Sequence, residues 1–197
     1  MRRLLRTLTV VLAALIVILL ASGSMKLQMH DGKNDDSLLP GHYTYFHAFN
    51  YDLYGNHLDV HETGSMDFHS DGTAFDSASQ MYVATLKEGA HVTYVFNYVS
   101  PSRWSLDGTD LYFSGIKDKF RMELVDFTTE GCDSTRAIEL AQQIIKVVSG
   151  SIDYEYKFHI DTLTDKKLQW SYTYRDGHTD TWKFYRGVVF EGVGNRE

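Results

Sequence analysis

The sequence predicts a mainly β protein, a single antiparallel up-and-down barrel of about 8–10 strands with one α-helix inserted before the last three strands. After Pro40, apolar and polar residues alternate along most of the chain, as in strands with one buried and one solvated face. Turn sequences rich in Gly and Asp separate these segments. A meander of such hairpins buries its apolar face by closing into a barrel, or alternatively by forming a two-sheet sandwich.

The N-terminal segment has the pattern of an export signal. Arg2, Arg3 and Arg6 precede an apolar run from about residue 8 to 21, and small residues follow it. Either a cleaved signal peptide or a retained membrane anchor would place the barrel outside the cytoplasm. The barrel would be periplasmic or in the cell envelope, secreted if the signal is cleaved, with membrane contact only through this segment. The predicted organisation is a signal or anchor over 1–23, a polar linker over 24–39 and the barrel domain over 40–190.

Charge and composition exclude several function classes. The net charge is −7, and an acidic domain without a Lys/Arg cluster repels phosphate backbones, which argues against nucleic-acid binding. Cys132 is the only cysteine, so no internal disulfide forms and no thiolate zinc set exists. The nine histidines show no compact three-ligand spacing. No nucleophile elbow, phosphate loop or dinucleotide fingerprint is present, so neither a metal nor a cofactor is expected. The oligomeric state stays open.

The first hairpin is predicted to turn at Gly55-Asn56, because a Gly-X loop suits a type II′ turn. Counting outward from this turn gives one apolar and one polar face. Two polar residues, His47 and Glu62, fall on the apolar face, diagonally adjacent. Buried groups of this kind need each other or water as partners. The predicted cross-strand pairs are Tyr43 with Phe68, Tyr45 with Met66, and Tyr51 with Val60.

Three further hairpins follow from their turn residues. The second, closed by 70–73, would set Phe75 opposite Phe68 and turn Ser77 and Ser79 inward. In the last hairpin a three-residue loop over 176–178 keeps both strands' aromatic residues on one face, whereas a two-residue loop does not. The third hairpin, closed by 107–110, would set Trp104 opposite Phe113, and the last would set Tyr172 opposite Trp182.

The helix is predicted over about residues 135–149, with Asp133 or Ser134 as its N-cap and Gly150 just beyond its end. It is expected to cover an open barrel end or the outer wall, although its apolar stripe could also bind a partner. The predicted stripe is Ile138, Ala141, Ile144, Ile145 and Val148.

Four stretches carry a family resemblance: Leu-Pro-Gly-His-Tyr at 39–43, Met-Asp-Phe-His-Ser-Asp-Gly-Thr at 66–73, Trp-Ser-Leu-Asp-Gly-Thr-Asp-Leu at 104–111, and Trp-Lys-Phe-Tyr-Arg at 182–186. In this order they resemble the exported lipocalin-like (calycin-type) small β-barrel domains found in Bacteroidetes. The likeness spans roughly 39–187, although Tyr43 stands where a Trp is expected, and the helix precedes the last strands instead of following the barrel. The resemblance implies that the closing Arg186 lies over Tyr43 and seals one barrel end by a cation–π contact.

The resemblance implies a non-enzymatic binding protein for a small apolar or amphiphilic ligand, such as a lipid. One alternative is a cell-envelope interaction or structural module with a filled barrel, and another is a cofactor-free hydrolase or isomerase that uses His47 and Glu62 as an acid–base pair. A lumen below a few hundred Å³ would argue against ligand binding. The predicted ligand-binding residues are His47, Glu62, Tyr45, Tyr94, Tyr98, Trp170 and Tyr172.

Overall fold

The computed structural model describes residues 38–152 and 154–188, so the predicted signal or anchor over 1–23 and most of the predicted linker lie outside the described residues. Within the described part, no helix is both long and apolar enough to cross a bilayer. The strands are β1 (Gly41–Leu53), β2 (Asn56–Phe68), β3 (Thr73–Thr85), β4 (His91–Asp107), β5 (Asp110–Gly115), β6 (Arg121–Glu130), β7 (Glu155–Leu163), β8 (Lys167–Thr173) and β9 (Thr179–Tyr185). The α-helix α1 spans Ser134–Ser151, and a short 3-10 helix spans Lys117–Lys119.

Eight of these strands, all except β6, form a closed antiparallel barrel, which confirms the predicted fold class and is compatible with a lipocalin-like fold. The barrel closes where β9 pairs with β1, with Thr44 opposite Tyr185. The long strand β4 pairs with β3 along one edge, while its other edge is shared between β6 and β5. Helix α1 comes before the last three strands, as predicted.

The first hairpin turns one residue earlier than predicted. Tyr54 and Gly55 both have positive φ angles, 52° and 79°, as a type I′ turn requires. The predicted register was therefore wrong by two residues: Tyr45 lies opposite Gly64, and His47 lies directly opposite Glu62. A shift of two leaves every side chain on its predicted face, because side chains alternate with a period of two.

The register of the second hairpin also differs from the prediction, and here the difference moves side chains to the other face of the sheet. Gly72, with a φ of 82°, extends the turn, and the His69 N–H donates to the Thr73 carbonyl at 2.9 Å. Phe68 consequently lies opposite Ala74 and not Phe75, which is 40% exposed. Because the register shifts by an odd number of residues, every side chain of β3 lies on the opposite face of the sheet from the one predicted. The predicted inward positions Ser77 and Ser79 face outward, and two unpredicted polar residues, Asp76 and Gln80, are buried inside.

The other two hairpins keep their predicted faces. In the third, Trp104 lies opposite Phe113 as predicted. In the last, the three-residue loop covers 175–177, one residue earlier than expected, so Trp170 and not Tyr172 lies opposite Trp182. The difference is again two residues in register and preserves the aromatic inner face.

Helix α1 is longer than predicted and rotated. The Asp133 carboxylate accepts a hydrogen bond from the Arg136 N–H at 3.0 Å, the N-cap expected from the sequence. Gly150 was predicted to follow the helix but lies inside it, and Ile138 was predicted to be buried but is 41% exposed. The buried helix residues are Ala137, Leu140, Ala141 and Ile144.

The interior contains two apolar clusters, separated along β1–β3 by buried polar side chains. The barrel cluster is centred on Leu39, Tyr43, Phe68, Leu111, Leu168, Trp170 and Phe184. The helix cluster joins one end of the β1–β4 sheet to α1 and is centred on Leu58, Val60, Tyr82, Val92, Tyr94, Phe96 and Ile144.

At one end of the barrel, Arg186 lies over the ring of Tyr43, with the guanidinium carbon 4.6 Å from the ring centre. The same guanidinium donates to the Tyr43 hydroxyl at 2.6 Å and to the Pro40 carbonyl at 2.8 Å. Tyr43 in turn donates to the Leu39 carbonyl at 3.0 Å. Arg186 therefore joins the end of the last strand to the segment that enters the first.

Candidate functional site

The barrel contains a partly open cavity of about 260 Å³ whose two sides differ in chemistry. One side is made of aromatic rings from β5, β7, β8 and β9, which we call the aromatic wall. The other side carries polar groups from β1–β4, which we call the carboxyl–phenol cluster. The aromatic wall consists of Phe113, Tyr156, Phe158, Trp170, Trp182 and Phe184. The carboxyl–phenol cluster consists of Tyr45, Glu62, Asp76, Gln80 and Tyr98.

The cluster is built on a row of four inward residues across neighbouring strands. Tyr45 on β1 pairs with Gly64 on β2, Gly64 pairs with Ala78 on β3, and Ala78 pairs with Tyr98 on β4. The two middle residues are small, so the two tyrosines lean over them until their hydroxyl oxygens are 3.0 Å apart. A Cβ atom on Gly64 would lie 2.7 Å from the Tyr45 hydroxyl, so this approach requires glycine.

The two carboxyl groups flank this pair of hydroxyls. Glu62 precedes Gly64 by two positions, and Asp76 precedes Ala78 by two, so both point inward on either side of the tyrosine row. The Tyr45 oxygen lies 2.6 Å from Glu62 Oε1 and 2.8 Å from Asp76 Oδ1. The Tyr98 oxygen lies 2.7 Å from Glu62 Oε1 and 2.6 Å from Asp76 Oδ2. Each hydroxyl therefore contacts both carboxyl groups.

The cluster has more short oxygen–oxygen contacts than hydroxyl protons that can form hydrogen bonds across them. The two tyrosines have one hydroxyl proton each, whereas five short oxygen–oxygen contacts connect the four groups. A third proton on a carboxyl group gives the cluster another donor. Burial and then the nearby Glu62 charge raise the pKa of Asp76 from 3.8 to about 7, against the lowering effect of the hydrogen bonds from Tyr98 and Tyr45. Asp76 is thus a carboxylic acid that exchanges its proton near neutral pH.

The surrounding groups fix the cluster in place. The Gln80 amide donates to Glu62 Oε2 at 2.8 Å, and its carbonyl accepts from the Tyr82 hydroxyl at 3.1 Å. Burial, followed by the nearby carboxyl charges, raises the pKa of the Tyr45 and Tyr98 phenols well above 10.0, so both keep their protons.

His47 is buried but lies outside this network. Its ring packs on Trp182 at 4.6 Å and on Phe49 at 5.3 Å between centroids. Its Nε2 atom has no hydrogen-bond partner among the described residues and is 3.9 Å from Asp180 Oδ2. Burial lowers the pKa of His47, more than the charges of Asp180 and Glu62 raise it, which favours the neutral ring. No hydrogen bond joins it to Glu62, although the two are directly opposite.

The structure brings four of the seven predicted ligand-binding residues to the cavity and leaves three elsewhere. Tyr94 belongs to the helix cluster and donates to the Ala137 carbonyl at 2.9 Å. Tyr172 packs on Phe158 beyond the lining, and His47 lies behind Trp182. The predicted residues that line the cavity are Tyr45, Glu62, Tyr98 and Trp170.

Sequence reasoning missed Asp76 and Gln80, which complete the cluster. Their strand was assigned to the wrong face because the second hairpin loop was counted one residue short. Only the length of this loop could have found them, because the β3 set that contains Asp76 and Gln80 and the opposite set that contains Phe75 both mix polar and apolar residues.

No group of three or more His, Cys, Asp or Glu side chains that could hold a metal ion occurs in 38–152 or 154–188. No protein-family model matches the chain, and no curated protein matches its sequence. The geometry of the barrel interior is therefore the basis for any assignment of function.

Proposed function

We propose that this protein is a binding protein of the lipocalin-like type that holds a small apolar or amphiphilic molecule inside its barrel. The supporting observation is the cavity of about 260 Å³, with the aromatic wall on one side and the carboxyl–phenol cluster on the other. Ligand sites are commonly apolar cavities with a few convergent polar groups that fix orientation. Action outside the cytoplasm is supported by the sequence pattern of residues 1–23.

The size of the cavity favours a compact ligand. Typical sites for drug-sized molecules have volumes of about 300–1,000 Å³, and this cavity lies just below that range. A single aromatic or short branched molecule suits this volume better than a long acyl chain. Its apolar part would contact Trp170 and Phe158, and its polar part would meet Glu62 and Asp76.

The geometry gives less support to the catalytic alternative. An acid–base pair of His47 and Glu62 needs the two side chains within hydrogen-bond reach of each other and of a substrate. The His47 Nε2 atom is buried without a partner, and its ring does not line the cavity.

Native mass spectrometry tests the binding proposal. The protein, produced from the full-length chain in an exporting bacterial host and purified without detergent, should carry a small molecule that is released on unfolding. Ser100 lines the cavity on β4, so Ser100→Leu should fill part of the space and reduce occupancy. Ser105→Leu places the same side chain on the exposed face of the same strand and should leave occupancy unchanged. A bare mass for the unmodified protein would contradict the proposal.

A further inference from the structure

We infer that the ligand carries a protonated amine, which docks against the carboxyl groups of Glu62 and Asp76 from the cavity side while its apolar part lies on the aromatic wall. This inference rests on the proposed function, since it names the ligand class of the same cavity. It follows from the charge, the hydrogen-bonding capacity and the composition of the lining.

The cluster has more acceptors than donors. When both carboxyl groups are ionised, the hydroxyls of Tyr45 and Tyr98 and the amide of Gln80 are its donors, facing four carboxylate oxygens. Each carboxylate oxygen accepts up to two hydrogen bonds, so acceptor sites remain. An ammonium group supplies three N–H donors and a positive charge, and it can take the place of the proton that Asp76 otherwise holds.

The described lining offers no competing cation. It contains no Lys, Arg or His side chain, so nothing in the lining neutralises the two carboxyl groups or pairs with an anionic ligand. A fatty acid would bring a third carboxylate into the same space, which like-charge repulsion disfavours. The chain's net charge of −7 adds long-range attraction for cations.

The aromatic wall suits the apolar part of such a ligand and also tolerates its charge. Trp170 and Trp182 line the cavity, and indole is the aromatic ring that attracts cations most strongly. Trp170 is only 4% exposed, and its Nε1 atom has no hydrogen-bond partner among the described residues. This unmet donor is independent of the acidic groups and indicates that the interior also has a place for an acceptor atom of a ligand.

Three probes of matched shape test the inference by calorimetry: 2-phenylethylamine, 2-phenylethanol and 3-phenylpropanoate. The cationic amine should bind at least about tenfold more tightly than the neutral alcohol, and the anionic carboxylate should bind weakest. Glu62→Gln and Asp76→Asn should each reduce the preference for the amine to about threefold or less without abolishing alcohol binding. Asp165→Asn, which removes an exposed carboxyl group outside the cavity, should retain the preference.

A second measurement needs no variant. Asp76 is faced by Tyr45 from β1, Glu62 from β2 and Tyr98 from β4, and Tyr156 on β7 is the titratable group of the opposite wall. Near neutral pH, amine binding should release protons from Asp76, seen as different binding heats in phosphate and Tris buffers. The alcohol should release none.

The outcomes separate the two proposals. Equal binding of amine and alcohol, or amine binding without proton release, overturns the cation inference and leaves cavity binding intact. Failure of all three probes to bind overturns the cation inference, and a bare native mass in addition overturns the binding proposal as well.

Discussion

Replacing Asp76 by Asn should abolish a large part of the pH dependence of stability. Asp76 is neutral in both folded and unfolded states below about pH 4. Between there and about pH 7 the folded protein retains a proton that the unfolded chain has lost, so stability falls as pH rises. Above about pH 7 the loss is complete. Asn does not titrate, and its amide occupies the same space as the neutral acid.

The expected magnitude follows from the environment of Asp76. A folded-state pKa of about 7 against 3.8 is a difference of roughly three pH units, and each unit corresponds to about 1.36 kcal/mol. The upper value is therefore about 4 kcal/mol. Relaxation around a buried charge generally lowers such a cost below its upper value, so we expect Asp76→Asn to stabilise the protein by about 2–4 kcal/mol in the alkaline range and by little near pH 4.5.

Urea unfolding followed by tryptophan fluorescence, at several pH values from about 4.5 to about 8.5, measures this difference. Asp165→Asn is the matched control, because its carboxyl group is exposed and should give a difference that is small at every pH. A difference between the unmodified protein and Asp76→Asn that stays constant across this range would refute the assignment of Asp76 as a buried acid.

Three other substitutions test the local geometry by urea unfolding. Arg186→Lys should destabilise by about 1–3 kcal/mol, because an ammonium cannot both cover Tyr43 and reach the carbonyls; a change below about 0.5 would contradict this. Gly64→Ala should destabilise the protein by about 1–3 kcal/mol, because the added Cβ atom would make contacts of 2.7 Å. Gly150→Ala has open space around it and should stabilise the protein by up to about 1 kcal/mol. Equal effects of the two substitutions would contradict the steric argument. Tyr54→Asn should stabilise by about 1 kcal/mol because Asn tolerates positive φ, and a loss of stability would count against the type I′ turn.

The faces of most strands were predictable because alternation has a strict period of two. On β1, β2 and β4 the inner sets are long and apolar enough that only one face can be buried, whatever the turn. Register errors of two residues in the first and last hairpins therefore leave the predicted set of core residues unchanged. They did change neighbours: His47 came to lie directly opposite Glu62, and Trp170 opposite Trp182.

The face of β3 was not predictable in the same way. Its two alternating sets, one with Phe75, Ser77 and Ser79 and the other with Asp76 and Gln80, both mix polar and apolar residues. Hydrophobicity alone does not decide between them, so the result depends on whether the turn contains two or three residues. The helix stripe was misplaced for a related reason, since Ala137 and Leu140 are as suitable for burial as Ile138.

Asp76 lies in the barrel interior, and its ionised form destabilises the fold more than its neutral form. Binding of a ligand to this group is therefore linked to the stability of the protein. Buried carboxyl groups stabilise a fold less than apolar residues of the same shape, so the cluster weakens the barrel, most of all when Asp76 is ionised. The barrel cluster and the helix cluster on either side supply the apolar burial that offsets this cost. A cation that binds the ionised pair recovers part of that loss. If the ligand is the amine inferred above, it should therefore stabilise the protein most at the alkaline pH where ionised Asp76 weakens the empty barrel most.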